Sequence, residues 1–418
     1  MIKKSCSELI KTNNYICVVR FSIKKFKERL IEGVLFVSGT VTSLTVLLII
    51  VFLFREGIGV FGSSSIEEGY TIAVNNSNSV KKLSGQEIKD IYDQKITNWS
   101  EVGGKKDSII LFRMDDISLY YTDEEIGPNF EYLPQRISEL VGKTPGIIAF
   151  FSEKYKTKKF QGRELIFEKI TVSSFLSGKE WFPTAHPAAQ FGILPLLLGT
   201  LWVSLGAILI ALPLGLATAI YMAEVANDKT RRILKPLIEL LAGIPSVVYG
   251  FFGLIIIVPL IQKLFNLPVG ETGLAGSIIL GIMALPTIIT ISEDAIRTTP
   301  RAMKEASLAL GASKWQTIYK VVIPFSISGI TAAAILGIGR AIGETMAVLM
   351  VTGNAAVIPH TILEPVRTIP ATIAAELGEA SQGGLHYKAL FALACILFIV
   401  TLLINISVEF ISSRNKYK

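Results

Sequence analysis

The chain has 418 residues, 50% of them hydrophobic and 18% charged, with a formal net charge of +7 and a mean hydropathy of +0.52. Soluble domains carry about 25% charged residues, so an ordinary soluble enzyme is excluded, as are a disordered chain, a coiled coil and, with three cysteines, a disulfide scaffold. The charge is unevenly spread: residues 55–180 hold 17 Lys/Arg and 19 Asp/Glu, whereas the other 292 residues hold 24 and 15.

A basic segment, 1–32, opens the chain with Lys3, Lys4, Lys11, Arg20, Lys24, Lys25, Lys27 and Arg29. An apolar run at 33–54 follows. It reads as a retained helix and not as a cleaved signal, because a long charged segment precedes it and Arg55-Glu56 follows without a small-residue cleavage site. Crossing about 30 Å of hydrocarbon takes about 20 residues. Five further runs of that length lie within 191–222, 234–261, 274–291, 323–351 and 389–411. Pro213, Pro245, Pro286 and Gly337 interrupt them, which packed membrane helices tolerate. The expected fold is an all-α polytopic membrane protein with six transmembrane helices. An α/β or α+β domain is inserted at 55–180, a five-helix core spans 181–412, and 413–418 is a short tail.

Lys and Arg set the orientation. They cluster in 1–32, after the second span (Lys229, Arg231, Arg232, Lys235), after the fourth (Arg297, Arg301, Lys304, Lys314, Lys320) and in the tail (Arg414, Lys416, Lys418). With six spans, all four segments share one side. Both termini are therefore expected in the cytoplasm and the insert outside. Cys6 and Cys17 then fall on the reducing side, and the insert has no cysteine.

Within the insert, 70–74 and 108–112 read as strands, and 85–92 and 130–141 as helices. Gly142-Lys143-Thr144 is not a P-loop, since Ile137 stands where the first glycine is needed. Three histidines and no His-Glu-x-x-His leave no metal site to expect.

The sharpest motif follows the fourth span. RAMKEASLALGASKWQTIYKVVIP, residues 301–324, predicts a short amphipathic helix, a break at Gly311, and a second short amphipathic stretch at 315–322 that ends at Pro324. Two readings stay open from these residues alone: a docking element for a cytoplasmic partner, or a helix lying on lipid headgroups. In the fifth span, Arg340 and Glu344 stand four apart in an apolar run, which places them on one helix face. Charges inside a membrane face a bundle interior or a wet path. The pair reads either as part of an anion path or as a structural ion pair. Pro245, Ser246 and Tyr249 in the third span are weaker candidates.

Glu305-Ala306-Ser307, Gly311 and Val321-Val322-Ile323-Pro324 resemble the EAA loop of ABC-importer permeases, with Ser307 and Val321 as the departures. FGILPLLLGTLWVSLGAILIALPLGLATAIYMAE, GIPSVVYGFFGLIIIVPLI and ILGIGRAIGETMAVLMVTGNA resemble the PstC-type permeases of phosphate importers over roughly 175–412. The resemblance implies a type I importer permease fold in the bacterial inner membrane. It implies that the loop 298–322, with Glu305, Ala306, Gly311 and Pro324, couples to an ATPase, and that Arg340 and Glu344 line the substrate path. It implies a second, PstA-like permease, two PstB-like ATPase subunits and a PstS-like phosphate-binding protein as partners besides lipid. No nucleic acid, no cofactor and no ATPase site in this chain are expected. LSGQEIKDIYDQKITNWSEVGG, Ile109 to Arg113, and Val141 to Ala149 resemble one lobe of that binding protein. There Ser-Gly-Thr follows the Arg; here Met114-Asp115-Asp116 follows Arg113, and two carboxylates repel an anion. The insert is therefore expected to be a non-binding half-domain. Rival readings are a permease for molybdate or sulfate, and a membrane-anchored sensor, which would need an output domain beyond Ile411.

Overall fold

A computed structural model describes residues 3–66 and 69–415, with side chains for 28–66 and 69–410. The side chains of the cations up to Lys27, of Cys6 and Cys17, and of Arg414, Lys416 and Lys418 lie outside the described residues. The chain forms two units, 1–56 and 57–418. The first is nearly all helix: α1 (Lys3–Ile58) carries the apolar stretch Glu28–Ile58. Four of its described hydroxyls are spent internally. Thr40, Thr42, Ser43 and Thr45 each donate to the carbonyl four residues earlier, as a lipid surround demands.

The second unit opens with the inserted domain: β1 (Tyr70–Asn75), β2 (Lys82–Leu83), α2 (Gly85–Tyr92), β3 (Ile110–Arg113), α3 (Leu133–Lys143), β4 (Ile147–Ser152), β5 (Gly162–Glu164), β6 (Ile166–Phe167) and α4 (Val172–Ser177). One sheet has the order β3-β4-β1-β5, parallel between β3 and β4 and antiparallel elsewhere. The pleat sends alternate residues to opposite faces. Ile72, Val74 and Ile148 meet Ile88, Ile91 and Trp99 on the α2 side, while Ala73, Phe112, Ala149 and Phe151 meet Leu133, Ile137 and Val141 of α3. Helices therefore cover both faces, which makes this an α/β domain. α2 starts where expected because Ser84 and Glu87 form a capping box. A hairpin, β7 (Trp181–Phe182) and β8 (Gln190–Phe191), lies beyond the expected boundary at 180. Its Trp181 and Phe191 share a core with Leu196, Ile369, Ala389 and Leu393, which joins domain to bundle.

The bundle comprises α5 (Leu194–Val225), α6 (Asp228–Ala242), α7 (Ser246–Phe265), α8 (Gly273–Arg297), α9 (Arg301–Ala309), α10 (Lys314–Gly343), α11 (Met346–Val351), α12 (Ile369–Glu376) and α13 (Leu385–Asn415). With the apolar part of α1, six helices among the described residues are long and apolar enough to cross a membrane. α5 buries Gly199, Val203, Ala207, Ala211, Gly215 and Ala219, a ridge of small residues every fourth position. Small residues let membrane helices approach closely. Here Ser277 of α8 donates across to the Val203 carbonyl at 3.2 Å. A Cβ on Gly206 would lie 2.4 Å from the Ser277 hydroxyl. Gly206→Val is expected to force α5 from α8 at a cost of about 1–3 kcal/mol, read as a lower melting temperature of the purified chain.

Three expectations are corrected. The third span does not begin in α6. Pro245 lacks an N–H and bars the preceding residue from helical geometry, so the helix breaks at Gly243-Ile244-Pro245 and the crossing helix starts at Ser246. The stretch 315–322 is not a separate short helix, because Lys314–Gly343 runs on as α10. A π-turn at Ile318–Val322 sits just before Pro324, as another at Gly253–Ile257 sits before Pro259. The wider turn makes room for a proline that can neither donate to nor clear the carbonyl four residues back. The fifth span does not reach 351 unbroken: α10 ends at Gly343, and Glu344 is extended (φ −71°, ψ 132°).

Candidate functional site

That last break decides the geometry of the intramembrane charges. Arg340 and Glu344 do not share a helix face, because the helix stops between them. Glycine at 343 weakens the last turn, and Thr345 Oγ1 donates to the freed Gly343 carbonyl at 3.3 Å. Arg340 Nη1 instead donates to Thr287 Oγ1 of α8 at 3.2 Å, near the middle of that helix. Among the described residues no carboxylate lies within ion-pair distance of Arg340, so the ion pair with Glu344 that sequence allowed does not form. Arg340 is half-buried. Five N–H donors and one hydroxyl partner among the described residues leave a cation with unspent donors beside the middle of α8.

The helices that follow the two breaks pack on each other. Gly250 of α7 packs on Ala347 and Met350 of α11 so closely that a Cβ there would lie 2.6 Å from the Met350 sulfur. Tyr249 straps the first break, its hydroxyl donating to the Leu241 carbonyl of α6 at 2.8 Å. It also lies within reach of the Arg340 charge. Irregular backbone at membrane depth is tolerated where it is buried in protein or lines a cavity.

At the bundle end away from the inserted domain, α9 and Gly311 form the motif read from sequence. Gly311 takes φ +85° with nothing within 4 Å of a Cβ, so the backbone conformation, not space, selects glycine. Ala312 N–H bonds Ser307 O, and Gly311 N–H bonds Leu308 O, the paired bonds of a Schellman cap. Ser307, a departure from the EAA pattern, uses its hydroxyl: its Oγ lies 3.0 Å from Thr317 Oγ1 on α10. Lys304 pairs with Glu224 at the end of α5. Glu305, Ala306 and Gly311 are exposed, as are Leu308, Leu310 (89%), Trp315 and Tyr319. Pro324 is exposed inside α10 and far from the tip in sequence.

Two charged clusters escaped sequence reasoning. Glu293 of α8 is 1% exposed and meets Arg231 (2.7 Å), Arg297 (3.6 Å) and Lys235 (3.8 Å). Arg231 and Lys235 read only as orientation signals; a carboxylate ending an apolar span was the available clue to their partner. On the domain side, Glu376 accepts from Trp181 Nε1 at 3.0 Å and pairs with Arg367 at 2.9 Å and His386 at 2.8 Å. Burial alone would raise its pKa. The bonds from His386 and Trp181 and the Arg367 charge outweigh that and hold it below the ordinary 4.5. A depressed folded-state pKa adds stability above the unfolded value, and that stability is lost as pH falls through the folded one. Glu376→Gln is thus expected to lower the melting temperature at pH 7. The difference from the native chain closes as pH falls below 4.5.

In the inserted domain, Arg113 is tied to the carbonyl and ring of its own fold. It donates to the Tyr92 carbonyl at 2.8 Å and lies over the Tyr92 ring at 5.3 Å.

A family model described as binding-protein-dependent transport system inner membrane component matches residues 211–417. A probable ABC transporter permease protein, YqgH of Bacillus subtilis, is 40% identical over 59% of this chain and 80% of its own length. The phosphate transport system permease protein PstC of Mesorhizobium japonicum is 40% identical over 55% of this chain and 75% of its own. The inward-facing MetNI methionine ABC transporter aligns with 54% of this chain and 94% of its own at 21% identity, with a TM-score of 0.41.

Proposed function

The chain belongs to the PstC-type permeases of binding-protein-dependent ABC importers, and from that membership we propose that it is a transmembrane subunit of an ATP-driven importer of inorganic phosphate. The observation that carries the substrate class is Arg340: a half-buried guanidinium beside the middle of α8, bonded to a hydroxyl and to no carboxylate among the described residues. A cation left unneutralised in low dielectric favours an anion in transit. Glu344, on the extended link beside the break, keeps a negative charge near the path and so limits how tightly the anion is held.

In this reading the chain forms half of the path, and a second, PstA-like permease supplies the other half. Two PstB-like subunits hydrolyse ATP, and this chain has no ATPase site of its own. Their closure reaches the bundle through Glu305, Ala306 and Gly311 at the tip, through Lys304–Glu224 to α5, and through the α10 helix in which Pro324 lies. A PstS-like protein delivers phosphate on the domain side. Arg231, Lys235, Arg297, Lys304 and Lys314 gather at the opposite end of the bundle, which supports a cytoplasmic location for that end and for both termini. The inserted domain then lies outside a bacterial inner membrane.

The test is phosphate uptake by cells lacking this chain. The native chain is expected to restore uptake that unlabelled phosphate suppresses and sulfate or molybdate does not. Suppression by sulfate or molybdate instead would move the assignment to another oxyanion.

A further inference from the structure

We propose that Thr287 of α8 is a second residue of the anion path: it sets the Arg340 guanidinium and presents its own hydroxyl proton to the same oxyanion. The proposal rests on the reading of Arg340 as the cation of that path. A hydroxyl has one proton to give and two lone pairs to accept with. Thr287 Oγ1 accepts from Arg340 Nη1 at 3.2 Å, which occupies one lone pair. Its proton goes to no acceptor among the described residues.

Hydroxyls elsewhere in the bundle direct that proton to their own helix. Thr200, Thr331, Thr352 and Thr372 each donate to the carbonyl four residues earlier, and so does Ser277 in α8 itself. That bond is the default for Ser and Thr in an apolar surround. Thr287 stands well inside α8, with the Met283 carbonyl at the equivalent position, yet its oxygen is turned to another helix. A hydroxyl that accepts from a cation is polarised into a stronger donor. Beside that cation, an anion is the acceptor such a proton fits.

Backbone packing fixes where the two side chains meet. Gly337 of α10 lies so close to α8 that a Cβ there would stand 2.9 Å from the Ile288 side chain. Arg340 is one turn further along α10, and Thr287 is the neighbour of Ile288 in sequence. Arg340 and Thr287 are both only partly buried, so an ion beside these helices can reach them. An unrestrained arginine must be ordered when its ligand arrives. Holding one N–H beforehand lowers that cost and leaves the rest of the planar fork for a bidentate contact. The anion then meets a guanidinium from α10 and a hydroxyl from α8.

The test is initial-rate uptake of labelled inorganic phosphate by cells lacking this chain, complemented with variants and scaled to quantified membrane abundance. Thr287→Val keeps the side-chain volume and removes both roles of the hydroxyl. Uptake is expected to fall about tenfold or more, the loss of a hydrogen bond to a charged group. Thr287→Ser returns the hydroxyl without the methyl group and is expected to restore most of the uptake, which a packing role would not do. In an Arg340→Lys background the Thr287→Val step is expected to lose less than in the native chain, because lysine has no fork to set. An equal loss in both backgrounds would overturn the positioning of Arg340. Native uptake by Thr287→Val, or a loss that serine does not restore, overturns the proposal and leaves the path reading standing where Arg340→Ala is inactive. Native uptake by Arg340→Ala overturns the path reading itself.

Discussion

Arg340→Ala is expected to cut phosphate uptake by roughly a hundredfold or more while the chain still inserts and assembles. Removing one partner of a desolvated, hydrogen-bonded charge contact costs about 2–5 kcal/mol, and 1.4 kcal/mol is tenfold. The fold itself loses little, because among the described residues the guanidinium holds only Thr287 Oγ1 and completes no ion pair. That separates the two readings the sequence left open: a structural pair would have had Glu344 as partner, and its loss would destabilise the bundle. Arg340→Lys keeps the charge but loses the fork geometry, so intermediate uptake is expected. Initial-rate uptake beside quantified membrane abundance checks both. Normal uptake by Arg340→Ala would return the residue to a packing role.

Leu310→Asp and Gly311→Val are expected to separate ATP hydrolysis from transport. Leu310 is 89% exposed at the tip of α9. Burying such a side chain against a partner is worth about 1.5–3 kcal/mol, and a carboxylate in its place adds a desolvation penalty. ATPase affinity should therefore fall at least about tenfold. Gly311 acts differently. At φ +85° a β-branched residue is strained, which tilts the link between α9 and α10 and leaves the apolar surface in place. In Gly311→Val the ATPase is expected to bind yet to hydrolyse ATP without uptake. Co-purification with the ATPase, hydrolysis and uptake measured together distinguish the two variants. Full transport in both would remove α9 from the coupling route.

Local signals made much of this legible in sequence. Long apolar runs found the spans, a helix-like run at 85–92 found α2, and Gly311 marked a helix end because a left-handed residue was needed there. Signals that depend on distant partners stayed hidden. The apolar pattern runs through Gly343-Glu344-Thr345 without a proline, and the α10 break rests on a glycine and a hydroxyl that caps it. Glu376 draws its partners from residues 181, 367 and 386, three segments with no shared periodicity. Glu293 and its cations come from α8 and from α6, which sequence had merged into the third span. The boundary at 180 was placed by a fall in charge, yet Trp181 and Phe191 are apolar because they pack on the bundle while still part of the outer hairpin.

The central claim is most directly tested by reconstitution. The purified chain, its partner permease, the ATPase and the binding protein are placed in liposomes with ATP inside, and labelled phosphate is offered from outside. The account predicts accumulation that requires ATP, the binding protein and this chain, and that Arg340→Ala abolishes. Accumulation that persists without this chain, or ATP turnover in the complete native system with no phosphate movement, would contradict it.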